Sequence, residues 1–216
     1  MNTDHLIDVL SANLEPVKSP QFGKTLILAI LASGAAALVV MLATVGPRPD
    51  LDSTAHLEWT AVKLLFALSV VSAGAPLLIR AMRPVLENGT HWALVLFPFV
   101  AATTAALAML LFERPQAWSE MLRGATEVSP ARCLLCIIFF AAIPLAAVMW
   151  SLRRGAPTRL RPCGALAGVL AGGLGAAAYA LSCSSDTIPF IAIWYTTAIA
   201  LCAIIGAQLG PRFLRW

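Results

Sequence analysis

Six apolar runs, at about 25–45, 62–80, 91–112, 131–152, 164–182 and 188–209, dominate this chain, and each is long enough to cross a bilayer. A segment facing lipid must satisfy its own backbone hydrogen bonds, so runs of this kind form helices. Composition agrees: 59% of the 216 residues are hydrophobic and only 12% charged, with a mean hydropathy of +0.82, far from globular averages. The expectation is an all-α membrane protein with six transmembrane helices. They occupy a domain over 25–210, preceded by a polar segment over 1–24 and followed by a short tail, 211–216.

Orientation follows from the cations. With the N-terminus cytoplasmic, ten of the fifteen lysines and arginines fall on the inner side, Arg153, Arg154, Arg159 and Arg161 among them, and five fall outside: Arg48, Lys63, Arg114, Arg123 and Arg132. Both termini are therefore read as cytoplasmic. The pI near 9.0 follows from these flanks, so no nucleic-acid contact is inferred from it. The first apolar run is span-length and starts only after a polar segment, which argues against a cleaved signal peptide.

Two outer connections, 46–61 and 113–130, are polar and of moderate length, and the inner connection 153–163, "RRGAPTRLRPC", is basic and turn-rich. None holds a separate domain. The N-terminal "MNTDHLIDVLSANLEPVKSPQFGK" has a helical pattern: Leu6, Ile7, Leu10 and Leu14 form one apolar stripe, with Asn2 or Thr3 as N-cap and Pro16 as the stop. A helix this short is marginal alone. A lipid-surface helix would be rich in Lys and Arg on its polar face, whereas this one carries Asp4, Asp8 and Glu15. A short amphipathic cytoplasmic helix that docks in a protein groove is the reading this favours.

Transport or proton relay leaves charged side chains in mid-span, and the six runs as drawn contain none there. His56 and His91 do not read as metal ligands. The fifth run spaces Gly164, Gly168 and Gly172 four apart, a face that lets helices approach closely. Trp194 and Tyr195 read as packing residues of the sixth.

Five cysteines remain. Cys133 and Cys136 open the fourth span and Cys183 closes the fifth, so these three gather at the outer face. Cys163 starts the fifth span, roughly 30 Å away, and Cys202 lies deep in the sixth. Ser129-Pro130 is a good helix start, placing Cys133 in the first turn beside Arg132, where a lowered thiol pKa is expected. A disulfide across the outer ends of spans four and five needs Cα atoms within about 7 Å. Three thiols also suit a soft-metal site at Cys133, Cys136 and Cys183. They equally fit as small apolar residues, since a lone C-x-x-C is a weak signal.

Over nearly its full length the chain resembles the NrsF-type membrane anti-sigma factors, six-span negative regulators of extracytoplasmic-function sigma factors. The resemblance rests on "TDHLIDVLSANLEPV", "CLLCI", "WSLRRGAP" and "GAAAYALSCSSDTIPFIAIWYT". It implies that the N-terminal segment holds the sigma factor, through Asp4, Leu6, Ile7, Leu10, Pro16 and Val17 together with Leu14 of the apolar stripe. It also implies that an outer cysteine pair, Cys133 and Cys183, senses oxidants or heavy metals. Cys136 is an additional thiol that makes a Cys133–Cys136 pairing the alternative.

The expected function is thus a membrane-bound anti-sigma factor of the bacterial inner membrane, not an enzyme and without a cofactor. Its partners are an extracytoplasmic-function sigma factor and the lipid bilayer, with no direct nucleic-acid contact; a homodimer is compatible with this. The rivals are a membrane thiol-disulfide oxidoreductase using Cys133 and Cys136, and a small transporter.

Overall fold

The computed structural model describes residues 22–49, 54–82, 92–112, 130–155 and 159–214. Six helices among them are long and apolar enough to span a membrane: α1 (Phe22–Thr44), α2 (Thr54–Ala81), α3 (Trp92–Phe112), α4 (Pro130–Leu152), α5 (Leu160–Ala180) and α6 (Ile188–Phe213). No strand occurs among the described residues. The expected N-terminal helix, with Asp4, Leu6, Ile7, Leu10, Leu14, Pro16 and Val17, lies outside them, as does His91.

The bundle is organised around α5, which is mostly buried, whereas α3 is mostly exposed at the periphery. Small residues make this placement possible. A side chain added at Gly164 would collide with the Gly206 carbonyl, and one at Gly168 with the Cys202 carbonyl; reciprocally, Gly206 faces the Gly164 carbonyl and Gly210 that of Leu160. The backbones of α5 and α6 therefore touch, as the four-residue glycine spacing leads one to expect. Gly175 gives α4 the same access at Ile137, and Gly173 gives it to α2 at Ala67 and Val71. Pro76, Pro98 and Pro144 all sit inside helices, tolerated where neighbouring helices and side chains satisfy the freed carbonyls.

Several boundaries differ from the sequence reading, two of them with consequences for the site and the core. Helix α2 begins at Thr54, about two turns before the apolar run, and so takes His56 out of the expected loop and moves Lys63 from the edge of the run to the third turn of the helix. His56, Thr60 and Lys63 follow at i, i+4 and i+7, one polar stripe that continues the helix because it has polar partners to meet. The expectation that no charge lies in mid-span meets one qualification: Lys63 lies in the third turn of α2 and is 0% exposed. Helix α5 starts at Leu160 rather than 164.

Helix α6 is not uniform. Residues Ile191–Tyr195 form a π-helical turn between Ile188–Phe190 and Thr196–Phe213. The wide turn re-registers the helix and leaves Tyr195 wholly buried against the end of the bundle where α4 starts and α5 stops. Single π turns of this kind recur at functional sites.

Candidate functional site

At that end of the bundle, four pieces of chain converge. The first turns of α4 supply Cys133 and Cys136, and the connection from α5 to α6 supplies Cys183 and Asp186. The polar stripe of α2 supplies His56 and Lys63, and the connection after α1 supplies Arg48.

The connection after α5 is fixed by backbone bonds before any side chain acts. The amides of Ser182 and Cys183 both donate to the Tyr179 carbonyl, at 3.0 and 3.1 Å, which closes the last turn of α5. The Arg48 amide donates to the Leu181 carbonyl at 3.1 Å, and the Ser182 hydroxyl donates to the Gly46 carbonyl and lies 3.0 Å from the Met41 sulfur. Gly46, with φ 77, provides the left-handed turn that brings Arg48 back over the bundle. The end of α1 is thereby clasped by the segment that carries Cys183.

Asp186 is the hub of the side chains. Its carboxylate accepts from Lys63 Nζ at 2.8 Å and from Arg48 Nη1 at 3.0 Å to both oxygens, and it meets His56 Nδ1 at 2.8 Å. Lys63 Nζ also donates to the Cys183 carbonyl at 2.8 Å, and Arg48 Nη1 reaches the same oxygen at 3.4 Å. The Lys63 and Arg48 side chains are 0% and 4% exposed, and cations buried so deeply persist only when paired and hydrogen-bonded. Burial works to raise the Asp186 pKa, but the hydrogen bonds from Lys63, His56 and Arg48 outweigh it and hold the carboxyl below its ordinary value.

The thiols sit directly beneath this cluster. Cys133 and Cys183 are both 0% exposed and share one core with Tyr179 and Tyr195, while Cys136, one turn along α4, packs half-buried against it. The Cys133 thiol hydrogen-bonds to the Cys183 sulfur. That bond is the largest influence on Cys183; burial opposes it, and Lys63, the Ser185 amide and the Tyr195 hydroxyl add to it, so the Cys183 pKa is pushed down to about 6. The lowered thiol expected at the start of α4 is thus found at Cys183, across the gap.

All five cysteines are free thiols. Cys163 is remote, its sulfur 3.7 Å from the Ala81 carbonyl at the opposite end, and Cys202 is buried against α5. Among the described residues no group of three His, Cys, Asp or Glu side chains is placed to hold a metal ion. What the arrangement supplies is a pair of buried thiols in one core, one from the start of α4 and one from the connection after α5.

Arg48, His56, Lys63 and Asp186 were not singled out by the sequence reading. The stripe His56, Thr60, Lys63 was the available signal, masked by a span boundary drawn at 62, which left His56 and Thr60 in the loop and Lys63 in the run.

A family model described as negative regulator of sigma F matches residues 10–216. Over its full length the chain is 33% identical to a probable anti-sigma-F factor of Azospira oryzae and 30% identical to the anti-sigma-F factor of Caulobacter vibrioides; each alignment covers 100% of both chains. No solved structure matches.

Proposed function

Because this chain belongs to the negative regulator of sigma F family, we propose that it is an anti-sigma factor of the bacterial inner membrane that holds an extracytoplasmic-function sigma factor and releases it when its outer thiols react. The hold is assigned to the cytoplasmic N-terminal segment, through Asp4, Leu6, Ile7, Leu10, Leu14, Pro16 and Val17. The distribution of cations supports placing that segment inside and the thiol end of the bundle outside. The signal is an oxidant or a thiophilic heavy metal. No enzymatic turnover is part of this reading.

The observation that carries it is the placement of Cys133, in the first turn of α4, and Cys183, in the connection after α5, as buried thiols of one core. With hypochlorous acid as the oxidant, the Cys183 thiolate attacks chlorine, giving a sulfenyl chloride and releasing hydroxide. The Cys133 sulfur then attacks the Cys183 sulfur; chloride leaves, the Cys133 proton passes to the hydroxide, and a disulfide is formed. Two electrons have left the thiol pair and reduced the oxidant to chloride and water. The S–S distance falls to about 2.05 Å, which pulls the connection after α5 toward α4. The energetic demand is small, since a tenfold loss of affinity needs only about 1.4 kcal/mol.

The test is co-purification of the sigma factor encoded beside this protein from detergent-solubilised membranes, with and without hypochlorous acid, for wild type, Cys133→Ser and Cys183→Ser. Retention by reduced wild type, release on treatment and indifference of both variants are expected. If no sigma factor is held under any condition, the anti-sigma reading fails and the thiol-oxidoreductase reading takes its place.

A further inference from the structure

Resting on that reading, we propose that Asp186, with Arg48 and Lys63 bound to it, is the positioning hub that conveys the state of the thiol pair from Cys183 to helices α1 and α2. The route is laid out by contacts. Cys183 and Asp186 lie three residues apart on one short connection, and both are held by the same two cations: Lys63 donates to the Cys183 carbonyl and to Asp186, each at 2.8 Å, and Arg48 bonds the same two groups. Closing a disulfide moves the Cys183 sulfur toward α4, and its carbonyl and Asp186 must follow or give up their partners.

A mobile, solvated ion pair would absorb such a shift. This one is buried: Lys63 is 0% exposed and Arg48 7%. Breaking it strands a charge away from water, so the cations move with the carboxylate instead. Arg48 belongs to the turn at the end of α1, already clasped through the Leu181 and Gly46 carbonyls. Lys63 belongs to α2. Helix α1 runs from Phe22 to Thr44, and the residues to which sigma binding is assigned precede it in the sequence, so a displacement at its Arg48 end is carried by a rigid rod toward them. Small shifts in packed elements are passed on rather than dissipated.

The hub is separable from the chemistry of the thiols. In Asp186→Asn and Arg48→Met, the disulfide between Cys133 and Cys183 still forms on treatment with hypochlorous acid, as read by mass spectrometry of the alkylated peptides. Oxidised full-length protein in nanodiscs is then compared with reduced protein by amide hydrogen exchange. In wild type, oxidation changes exchange both in 181–187 and in 44–49; in the variants the change in 181–187 persists while that in 44–49 shrinks about tenfold, within the range of ordinary coupling. Arg48→Lys keeps a cation and retains most of the wild-type response. If 44–49 responds in both variants as it does in wild type, the hub is wrong. If Arg48→Met does not insert stably, Asp186→Asn, which keeps the shape and an accepting oxygen, decides alone. A wild type whose 44–49 amides respond while its sigma factor stays bound would overturn the regulatory reading and leave the hub standing.

Discussion

The ammonium of Lys63, buried within a membrane-spanning helix, donates to the carbonyl oxygen of Cys183 at 2.8 Å and, from the same nitrogen, to Asp186 at 2.8 Å. A charge in that position is costly to keep and constrains what may be changed around it. Removing Asp186 strands two cations whose side chains are 0% and 4% exposed, a defect worth about 3–5 kcal/mol. Removing Lys63 leaves Asp186 with Arg48 and His56, and the cost is the smaller one of a lost charged hydrogen bond, about 1.5–3 kcal/mol. Asp186→Ala is therefore expected to lower thermal stability in detergent more than Lys63→Met; the reverse order would mean that the carboxylate is not the centre of the cluster.

The same cluster gives acid sensitivity a definite sign. Asp186 is held below its ordinary pKa in the fold, so the folded state binds the proton less readily than the unfolded chain does. Its contribution to stability is complete above the ordinary carboxylate value of about 4 and is lost as the pH falls through the lower, folded value. Midpoints of unfolding measured at pH 7 and at pH 3 should separate further in wild type than in Asp186→Asn, whose amide does not titrate. Equal separations would remove Asp186 from the acid response.

How much of this was open to sequence reading depends on the physical signal each part leaves. The six spans were legible because apolar runs of bilayer length have one common outcome, and Gly164 and Gly168 were legible because their spacing repeats along one helix face. The start of α2 was not. His56 looked like a loop residue and Lys63 like the edge of a span because a polar partner for them, Asp186, lies more than 120 residues away; only the folded chain explains why a helix continues through both. The π turn at Ile191–Tyr195 leaves no compositional mark either, since it depends on how Tyr195 is buried among neighbours from other helices. The ease of ionisation at Cys183 was missed for a related reason: it comes from Cys133 and Lys63 across a gap rather than from the terminus of its own helix.

Helix contact through glycine makes a prediction of a different kind. A side chain at Gly168 meets the backbone at Cys202 and Ala203, whereas one at Gly23 meets nothing within 4 Å. Backbone cannot swing aside as a flexible side chain does, so Gly168→Leu forces α5 and α6 apart, at a cost of about 1–3 kcal/mol or more. Gly23→Ala is expected to unfold within about 0.5 kcal/mol of wild type. Unfolding of the two variants in detergent, monitored by tryptophan fluorescence, checks the contrast; indifference at Gly168 would show that the helices do not meet along this face.

The last prediction concerns the thiols themselves. Only the thiolate reacts with a small alkylating reagent, so the rate of modification follows the ionised fraction. With its pKa pushed down to about 6, Cys183 should reach half of its limiting rate near that pH, where an ordinary cysteine does so near pH 8.5. The largest cause is the hydrogen bond from Cys133. Cys133→Ala removes that donor, and the midpoint should move up toward the ordinary value even though a competing thiol has gone; Lys63→Met should move it in the same direction by a smaller amount, because the Lys63 charge ranks below the hydrogen bond. The measurement is the pH profile of alkylation at the Cys183 peptide, followed by mass spectrometry in the intact, folded protein. A wild-type midpoint near 8.5 would take away the distinction between the two thiols, and a midpoint that ignores Cys133→Ala would place the cause of the lowered value elsewhere in the cluster.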